Sequence, residues 1–316
     1  MTYLLAALLV IVIAMLGYLV RASRTLGTKL TAIKSSQIKQ LEELKSLSAE
    51  HNRRMKKLSQ LSSLPVVVKN SGSLDFVVSL TSHGARFSTL AHVLNRLRNQ
   101  VLQPQSIQLN IASNEMDSLP AEVKALEKDG FITIHSCNDL GPAKKLIPIL
   151  QSNPKLPVIV IDDDLDFDPE LFLHLVVTHN LYPSAIIASR VHQLIRSENG
   201  QVESFSNWNK QYSENEGPQA DLMPTSGAGT LFPAGAFHAD VTDEVQYLAL
   251  AKNTDDLWWY FQARRVGTLV RRIEGYSALN FVGETQEVGL WKNGNKELNE
   301  VNLAALINEY GDPLNF

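Results

Sequence analysis

The 316-residue chain has a single cysteine, Cys137, so no disulfide can form within it and its fold does not require an oxidising compartment. It also lacks the two common kinds of Gly-rich phosphate loop, and it has no G-x-S-x-G motif to present a nucleophilic serine. The spacing of its histidines is not typical of a transition-metal site. These absences exclude a disulfide-stapled miniprotein and direct attention to other kinds of chemistry.

The composition is that of a globular protein. Hydrophobic residues make up 44% of the chain and charged residues 20%, close to the usual averages. A disordered or collagen-like chain is therefore excluded. At about 100–200 residues per domain, the chain is long enough for one large domain or two modest ones.

Charged side chains are absent from residues 1–20, where an apolar run rich in Leu, Ile, Val and Ala covers residues 3–20. As a helix this run would be about 27 Å long, close to the roughly 30 Å thickness of a bilayer core. A cleaved signal peptide would need a basic segment before the run and a small-residue cleavage site after it, and neither is present. We therefore interpret residues 1–20 as a transmembrane anchor.

Positive charge follows this run directly. Residues 21–64 hold ten basic and three acidic residues, whereas residues 65–316 hold 19 basic and 30 acidic residues. Because Lys and Arg are retained on the cytoplasmic side, the chain is predicted to be a single-pass protein of the bacterial inner (plasma) membrane with a cytoplasmic body. A Golgi-type topology would instead place the charges before the span. The acidic body also argues against sequence-independent binding of nucleic acid.

Residues 21–64 are predicted to form a basic helical stem, since proline and glycine are absent from most of this segment. Apolar residues recur in it at three- and four-residue steps, but the heptad pattern is incomplete. The pattern fits two structures equally, a self-associating helix and a solvated linker helix without a partner. A stretch rich in Ser, Asn and Gly then marks the beginning of the body, which we assign to residues 65–316.

In the body, strand patterns alternate with helical patterns. Strands are predicted at residues 74–80, 107–111, 131–134 and 157–161, and the last of these is entirely apolar. Apolar strands that alternate with helices indicate an α/β fold, in which helices cover both faces of a mostly parallel sheet. Ligands bind such sheets beyond the carboxyl ends of the strands, so the polar residues that follow each strand are candidates for the site.

An acidic cluster follows the apolar strand, in the sequence V-I-V-I-D-D-D-L-D-F-D-P. Repulsion among Asp162, Asp163 and Asp164 is costly unless a cation neutralises it. In an extended segment Asp162 and Asp164 point to one side, where two carboxylates suit Mn²⁺ or Mg²⁺ with water and diphosphate oxygens as further ligands. The alternative is a solvated acidic turn, which we prefer for Asp166 and Asp168.

The body also contains several ordered motifs, namely V-S-L-T-S, D-L-G-P-A-K-K-L-I-P, I-D-D-D, I-I-A-S-R-V-H, G-A-G-T-L-F-P and T-D-D-L-W-W. Together they resemble bacterial glycosyltransferases of the GT-A fold, near family 2, which carry a DxD motif. The resemblance covers roughly residues 74–290. It implies a GT-A (Rossmann-like) domain, a nucleotide-diphosphate-sugar donor, a divalent cation and transfer of one sugar to an acceptor hydroxyl.

The resemblance also implies roles for the residues that follow the strands. Asp164 would ligate the metal, and Asp162 would share the metal or bind the donor's ribose. Asp163 is a further candidate for the donor site.

The nucleoside and the phosphates would be bound by residues from the earlier strands. Thr81 and Ser113 would line the nucleoside site, and Asp139 would lie near the base or ribose. Lys144 or Lys145 would neutralise phosphate, and the alternative for both lysines is a solvated helix face.

Two later motifs contribute further candidates, and Arg190 is counted among the residues that would bind the donor. Arg190 and His192 would contact phosphate or acceptor, unless an ordinary ion pair and hydrogen bond explain them. The small residues of 226–230 would let a sugar ring approach the backbone closely, or they form a tight turn before a buried strand.

The motif T-D-D-L-W-W supplies the candidate base. Inverting transfer needs a carboxylate that takes the proton of the acceptor hydroxyl, and the family places it in an acidic pair at the start of a helix. We favour Asp256 over Asp255 as the base. The alternative is that both aspartates only stabilise the positive end of the helix. Trp258 and Trp259 would offer an apolar platform to a sugar, with one of them in the core.

The sequence therefore predicts a membrane-anchored, metal-dependent, inverting glycosyltransferase that acts on a lipid-linked or cell-surface glycan. A nucleotidyltransferase is one alternative, although such enzymes usually have a Gly-rich basic loop after the first strand, and residues 81–86 are not Gly-rich. A catalytically inactive, membrane-anchored sugar-binding or scaffold protein is the other.

Overall fold

The computed structural model describes residues 75–152, 154–276, 279–282 and 295–316, together with residues 15–17, 21, 23 and 34. The chain divides into two compact units, Met1–Lys69 and Asn70–Phe316. The predicted anchor and most of the predicted stem lie outside the described residues, and so does any self-association through the stem. Among the residues that are described, no helix combines the length and apolar character needed to cross a bilayer.

The described part of the second unit alternates between strands and helices. The strands are β1 (Val77–Thr81), β2 (Ser106–Ala112), β3 (Thr133–Cys137), β4 (Val158–Val160), β5 (Ile186–Ala188), β6 (Val191–Gln193), β7 (Leu222–Pro224), β8 (Thr230–Phe232) and β9 (Val270–Arg272). The helices are α1 (Phe87–Arg96), α2 (Ala121–Lys128), α3 (Ile147–Gln151), α4 (Leu171–Leu181), α5 (Glu244–Leu250), α6 (Asp255–Arg264) and α7 (Asn295–Tyr310).

Seven strands form one sheet in the order β3-β2-β1-β4-β8-β5-β9. Neighbouring strands are parallel except at β8, which runs antiparallel to both β4 and β5. Strands β6 and β7 form a separate antiparallel pair. The predicted mainly parallel α/β sheet is confirmed, and it fits a Rossmann-like GT-A fold. A buried strand after residues 226–230 was one of two alternatives in the sequence, but the antiparallel direction of β8 was not predicted.

Helix α2 illustrates how the local sequence sets the limits of an element. Pro120 directly precedes its first residue, where a fixed φ suits the first turn. Gly130 follows its end with φ 73°, a conformation that glycine adopts without a steric penalty. Val123 and Leu126 bury one side of the helix against the sheet, so the other side is left to solvent.

Hydrophobic core lies on both faces of the sheet. Val158 and Val160 of β4 belong to the cluster on one face, which also contains Trp258 and Trp259 of α6. The alternate residues of the same strand belong to the cluster on the other face, with residues of α1, α2 and α4. Both tryptophans are fully buried, so the expectation that one of them offers a platform to a sugar is wrong.

The direction of the strands determines which loops meet. The carboxyl ends of β1, β2, β3, β4 and β5 lie at one edge of the sheet because these strands run the same way. Since β8 runs in the opposite direction, its beginning lies at this edge, with Thr230 paired to both Val160 and Ala188. Loops that leave β4 and β5 therefore meet the loop that enters β8.

Candidate active site

Asp162 is the first carboxylate beyond β4, and it is held between two partners. Its Oδ1 lies 2.6 Å from Lys145 Nζ, and its backbone N–H donates to the carbonyl of Gly227 at 2.9 Å. The other carboxylate oxygen packs against Gly227, where an added Cβ would lie 1.8 Å from Asp162 Oδ2. The glycine at position 227 therefore leaves room for Asp162, whereas the sequence suggested room for a sugar ring.

Asp163 contacts the segment that follows β1. Its carboxylate accepts a hydrogen bond from Ser82 Oγ and another from Arg86 Nη1, the latter at 2.6 Å. Arg86 Nη2 also lies 2.9 Å from Asp164 Oδ2, so one guanidinium joins both carboxylates. Both oxygens of Asp163 already have donors within the protein, which suits a role in holding this edge together.

Asp164 is 5% exposed and carries the most perturbed charge of the cluster. Burial raises the pKa of Asp164 to about 7, with a further contribution from the nearby charge of Asp162 and despite the opposing effect of Arg86. Burial by itself would lower the pKa of Arg86, but attraction to Asp163 and Asp164 raises it. The ion pair with Arg86 thus leaves part of the negative charge uncompensated.

The second acidic group lies at the start of α6. Asp255 Oδ2 is 3.2 Å from Lys145 Nζ and accepts a hydrogen bond from Trp259 Nε1 at 3.3 Å. Asp256 Oδ1 accepts two hydrogen bonds from Ser226, one from the backbone N–H at 2.8 Å and one from Oγ at 2.6 Å. Asp256 Oδ2 accepts none from the described residues. Asp256 is half-buried, so part of its surface stays accessible to solvent. We call the accessible space beside the two acidic groups the cleft.

The pKa of Asp256 is raised to about 7. Burial is the main cause and the neighbouring Asp255 charge adds to it, whereas Lys145 and the Ser226 hydrogen bonds oppose it. A carboxylate with a pKa near neutrality is well suited to take up and release a proton.

Lys145 joins the two acidic groups. The side chain is buried, and it contacts Asp162 after β4 and Asp255 of α6. Burial by itself would lower the pKa of Lys145, but Asp162, Asp255 and Asp256 raise it well above its usual value. The solvated helix face considered for this lysine is therefore wrong.

Lys144 and Asp139 form a separate ion pair beyond β3. Lys144 is 3% exposed and its Nζ lies 2.6 Å from Asp139 Oδ1, so this lysine does not lie on a solvated face either. Asp139 also accepts a hydrogen bond from the backbone of Gly141 at 3.1 Å. The hydrogen bond from Lys144 is the main reason that the pKa of Asp139 is lowered. The carboxylate itself remains exposed at the surface.

The two hydroxyl candidates lie at the carboxyl ends of β1 and β2. Thr81 is the last residue of β1, and Ser113 directly follows β2. Thr81 Oγ1 donates to the carbonyl of Asn110 at 2.7 Å and so ties β1 to β2. Ser113 is exposed, with its Oγ 2.9 Å from Ser136 Oγ and 3.0 Å from the carbonyl of Cys137. These residues lie on the half of the edge that also contains Asp139, on the far side of β1 from β8 and β5.

Arg190, after β5, lies near Asp256 in the other half of the edge. Attraction to Asp256 raises the pKa of Arg190, while burial lowers it and has the larger effect. No carboxylate of the described residues lies within ion-pair distance of its guanidinium, so the ordinary ion pair considered for Arg190 is not formed there. His192 accepts a hydrogen bond at Nδ1 from the backbone of Gln211 at 3.1 Å.

Asp162 and Asp164 fit the binding of a divalent cation. Within the described residues Asp162 Oδ2 and Asp164 Oδ1 accept no hydrogen bond. The site's carboxylates outnumber its basic side chains by five to three, since Asp162–Asp164, Asp255 and Asp256 are opposed by Arg86, Lys145 and Arg190. No group of three or more metal-binding side chains gathers in the described part of the chain. Water and diphosphate oxygens would therefore complete the coordination, as is usual for Mg²⁺.

The sequence analysis did not predict three members of this site. Ser82 and Arg86 were not candidates, and Ser226 was not expected to donate hydrogen bonds to Asp256. Arg86 is separated from its carboxylates by 77 residues or more of chain, and Ser226 from Asp256 by 30. The only available signal for Arg86 and Ser82 was their place after a predicted strand, which is the position at which ligands bind such sheets.

Comparisons with known proteins give a distant structural likeness. No protein-family model matches the chain, and no curated protein does either. Among solved structures, the 4-diphosphocytidyl-2C-methyl-D-erythritol synthase from Anaerococcus prevotii is 19% identical, with TM-score 0.42, over 72% of this chain and 100% of that chain. Another crystal structure of 4-diphosphocytidyl-2C-methyl-D-erythritol synthase is 13% identical, with TM-score 0.38, over 71% and 97%. TarS 1–349 of S. aureus, solved in complex with UDP, is 11% identical, with TM-score 0.42, over 66% and 59%.

Proposed function

We propose that the chain is an inverting, metal-dependent glycosyltransferase that moves a sugar from a nucleotide-diphosphate-sugar to an acceptor hydroxyl. The observation that carries this proposal is the position of Lys145, whose Nζ lies 2.6 Å from Asp162 and 3.2 Å from Asp255. One buried side chain thus joins a carboxylate pair suited to a cation–diphosphate complex and an acidic pair that contains a base. An inverting transfer needs these two functions side by side in one cleft.

Asp256 is the proposed general base. Its pKa of about 7 suits proton transfer near neutrality, Ser226 fixes its orientation, and Oδ2 is left without a hydrogen bond from the described residues. In the proposed step the acceptor oxygen attacks the anomeric carbon and Oδ2 takes its proton. The bond from that carbon to the diphosphate oxygen breaks, and the nucleoside diphosphate leaves with the electron pair.

Asp162 and Asp164 are the proposed ligands of Mn²⁺ or Mg²⁺, an ion that supplies positive charge to the diphosphate when bound. Arg86 and Asp163 would hold Asp164 in place through the contacts described above. Thr81, Ser113 and Asp139 remain proposals for the nucleoside end of the donor. The basis for these three is their place beyond the first three strands.

The test is a panel of UDP- and GDP-sugars incubated with the full chain and Mn²⁺, with products identified by mass spectrometry. We expect release of nucleoside diphosphate that is lost in Asp164→Ala and kept in Asp166→Ala, a matched control from the same acidic run whose side chain is exposed. Nucleoside triphosphates tested in parallel report the nucleotidyltransferase alternative, which would release pyrophosphate. A folded protein without turnover or donor binding would favour the scaffold alternative.

We also propose that residues 1–20 anchor the protein in the inner membrane, with the catalytic unit in the cytoplasm. An acceptor that is lipid-linked or part of a cell-surface glycan would give this anchor a purpose. The charge distribution of residues 1–64 supports this topology. Fractionation of cells that express the full chain or a version without residues 1–20 tests it, since only the full chain should remain with the membranes after a high-salt wash.

A further inference from the structure

Arg190 is a partly buried cation whose position is fixed by the backbone. The carbonyl of Arg190 accepts hydrogen bonds from the N–H and Oγ1 of Thr225, at 3.0 Å and 3.3 Å. Thr225 directly precedes Ser226, which holds Asp256. Ser189, just before Arg190, donates its N–H to the carbonyl of Gly229 at 3.0 Å. The segment after β5 is therefore attached to the same loop that orients the proposed base.

Among the described residues, the guanidinium of Arg190 has no hydrogen-bond or ion-pair partner. Its Nε is buried and forms no hydrogen bond, and within the described residues no carboxylate lies within 4.0 Å to form an ion pair. Every other arginine of the described chain that is not exposed donates to a carboxylate or a carbonyl, namely Arg86, Arg196, Arg264, Arg265, Arg271 and Arg272. A desolvated charge without a partner is costly, so a guanidinium that has none among the described residues is suited to binding an anion.

The surroundings of Arg190 are also positive. Burial lowers the pKa of His192 to about 3, and the charges of Arg190 and Lys210 lower it further. Lys210 has a pKa lowered to about 8, mainly by burial, with Glu300 opposing the shift and Arg190 adding to it. Lys210 donates to the carbonyl of Phe205 and has no carboxylate within ion-pair distance among the described residues. Two cations thus lie near one another around a neutral histidine.

The position of Arg190 separates it from the proposed diphosphate site. Asp162 and Asp164, after β4, already have Lys145 and Arg86 as their cations. Strand β8 lies between β4 and β5, so the segment that carries Arg190 leaves the sheet two strands away. Asp256 is the one acidic neighbour whose charge affects the pKa of Arg190. Arg190 is therefore placed on the side of the base, where an acceptor would lie.

We infer that Arg190 binds an anionic group, a carboxylate or a phosphate, on the sugar acceptor beside Asp256. This inference rests on the proposed function, because it assigns one side of the same cleft to the acceptor. The guanidinium would form charge-assisted hydrogen bonds with the anion and so orient the acceptor hydroxyl toward Asp256 Oδ2. The acceptor would then be an acidic or phosphorylated glycan.

The test measures binding of three sugar probes to the full chain by NMR titration. Methyl glucuronide carries a carboxylate, methyl glucoside 6-phosphate carries a phosphate, and methyl glucoside is the neutral reference. We expect at least one charged probe to bind about tenfold or more tightly than the neutral one, as a charge-assisted hydrogen bond would give. The charged probe that binds more tightly identifies the anion of the acceptor.

Two variants of Arg190 and one control assign this preference to a residue. Arg190→Gln should abolish the preference, Arg190→Lys should keep part of it, and the exposed control Arg96→Gln should leave it unchanged. If Arg190→Gln does not fold, Arg190→Lys keeps the positive charge and still allows the preference to be measured. Equal binding of the three probes, no binding of any of them, or an undiminished preference in Arg190→Gln would overturn the inference.

UDP and GDP titrations in the presence of Mn²⁺ separate this inference from the proposed function. Nucleotide affinity should be the same in the wild-type chain and in Arg190→Gln. A loss of nucleotide affinity in Arg190→Gln would place Arg190 on the donor side and overturn the inference while keeping the transferase. Absence of nucleotide binding in the wild-type chain would count against the proposed function, whereas the preference for charged sugars is read from the probes alone.

Discussion

The two acidic groups of the cleft, Asp162–Asp164 and Asp255–Asp256, divide their work in the same way. In each group one carboxylate has two partners within the protein, Asp163 with Ser82 and Arg86 and Asp255 with Lys145 and Trp259. Its neighbour in each group, Asp164 or Asp256, has a pKa raised to about 7. Under the proposed function, one aspartate of each group has a structural role and its neighbour has a chemical role.

The groups differ in what compensates the second carboxylate. Asp164 forms an ion pair with the guanidinium of Arg86 at 2.9 Å, whereas the hydrogen bonds that Asp256 accepts from the described residues come from the neutral donors of Ser226. A pair that includes a fixed cation and still has excess negative charge is suited to binding a further cation. A carboxylate held by neutral donors is suited to exchanging a proton. The surroundings, and not the residue type, distinguish the two.

The largest effect is expected when the carboxylate of Asp256, the proposed base, is neutralised. Asp256→Asn keeps the size of the side chain and its acceptor for Ser226, but it cannot take a proton. We expect kcat to fall by about 10²- to 10⁴-fold, with unchanged affinity for UDP and Mn²⁺. Steady-state kinetics and nucleotide titration measure the two quantities. Asp255→Asn is the matched control, and a larger loss of kcat in that variant would reverse the assignment of base.

The next effect concerns Lys145, which compensates one carboxylate of each group. Lys145→Met leaves Asp162 and Asp255 without their buried cation, and we expect the free energy of unfolding to fall by about 3–5 kcal/mol. The same change made in Asp255→Asn should cost less, because one of the unpaired charges is already absent. Urea denaturation measures both. A cost below about 1 kcal/mol, typical of an exposed ion pair, would contradict a buried link.

A smaller and more specific effect is expected in the pH dependence of Asp256. The base must be deprotonated, so kcat/KM should rise with pH to a plateau, with a midpoint near the pKa of about 7 for Asp256. Its usual pKa is 3.8, so between these values the folded chain holds a proton that the unfolded chain has lost. The contribution of Asp256 to the free energy of unfolding is therefore full below about pH 4 and is lost as pH rises toward 7.

Asp256→Asn serves as the control for both parts of this pH prediction. The variant has no titrating group at position 256, so the low-pH limb of kcat/KM and the slope in stability should both become shallower. What remains is due to Asp164, whose pKa is also raised to about 7. Urea denaturation at several pH values checks the stability part. A wild-type stability that rises between pH 4 and 7, with the same slope in Asp256→Asn, would contradict a raised pKa.

The smallest effect is expected at Asp166, two residues beyond the first group. Asp166 forms an ion pair with Arg96 at 2.7 Å, and both side chains are substantially exposed. Solvent weakens such pairs, so Asp166→Asn should leave the unfolding midpoint and the nucleotide affinity unchanged within error. Parallel measurements on Asp164→Asn sharpen the contrast. An equal loss of nucleotide affinity in the two variants would mean that the run acts through its total charge.

The sequence predicted the candidate site residues that directly follow a clear strand pattern or begin a clear helix. The apolar run at residues 158–161 predicted a buried strand, and Asp162 and Asp164 lie directly beyond it. The start of α6 at Asp255 was likewise predictable from its acidic pair. Neither prediction needed knowledge of what packs against the element, because a strand's apolar pattern and a helix's acidic first turn are local.

Partners distant along the chain could not be predicted in this way. The contacts of Arg86 with Asp163 and of Lys145 with Asp255 depend on the order in which strands enter the sheet. A buried lysine and a lysine on a solvated helix also look alike when only the neighbouring sequence is known. The direction of β8 was hidden for a related reason, since three apolar residues fit either direction equally well.

The direction of β8 limits which residues around the cleft can vary between related chains. Because β8 runs against its neighbours, the segment between Pro224 and Thr230 reaches the cleft from the opposite chain direction and carries Ser226 to the base. Its glycine at position 227 is constrained by Asp162, so the segment has little freedom to accept larger side chains. Variation in acceptor choice should therefore accumulate after β5, while the entrance to β8 keeps its small residues.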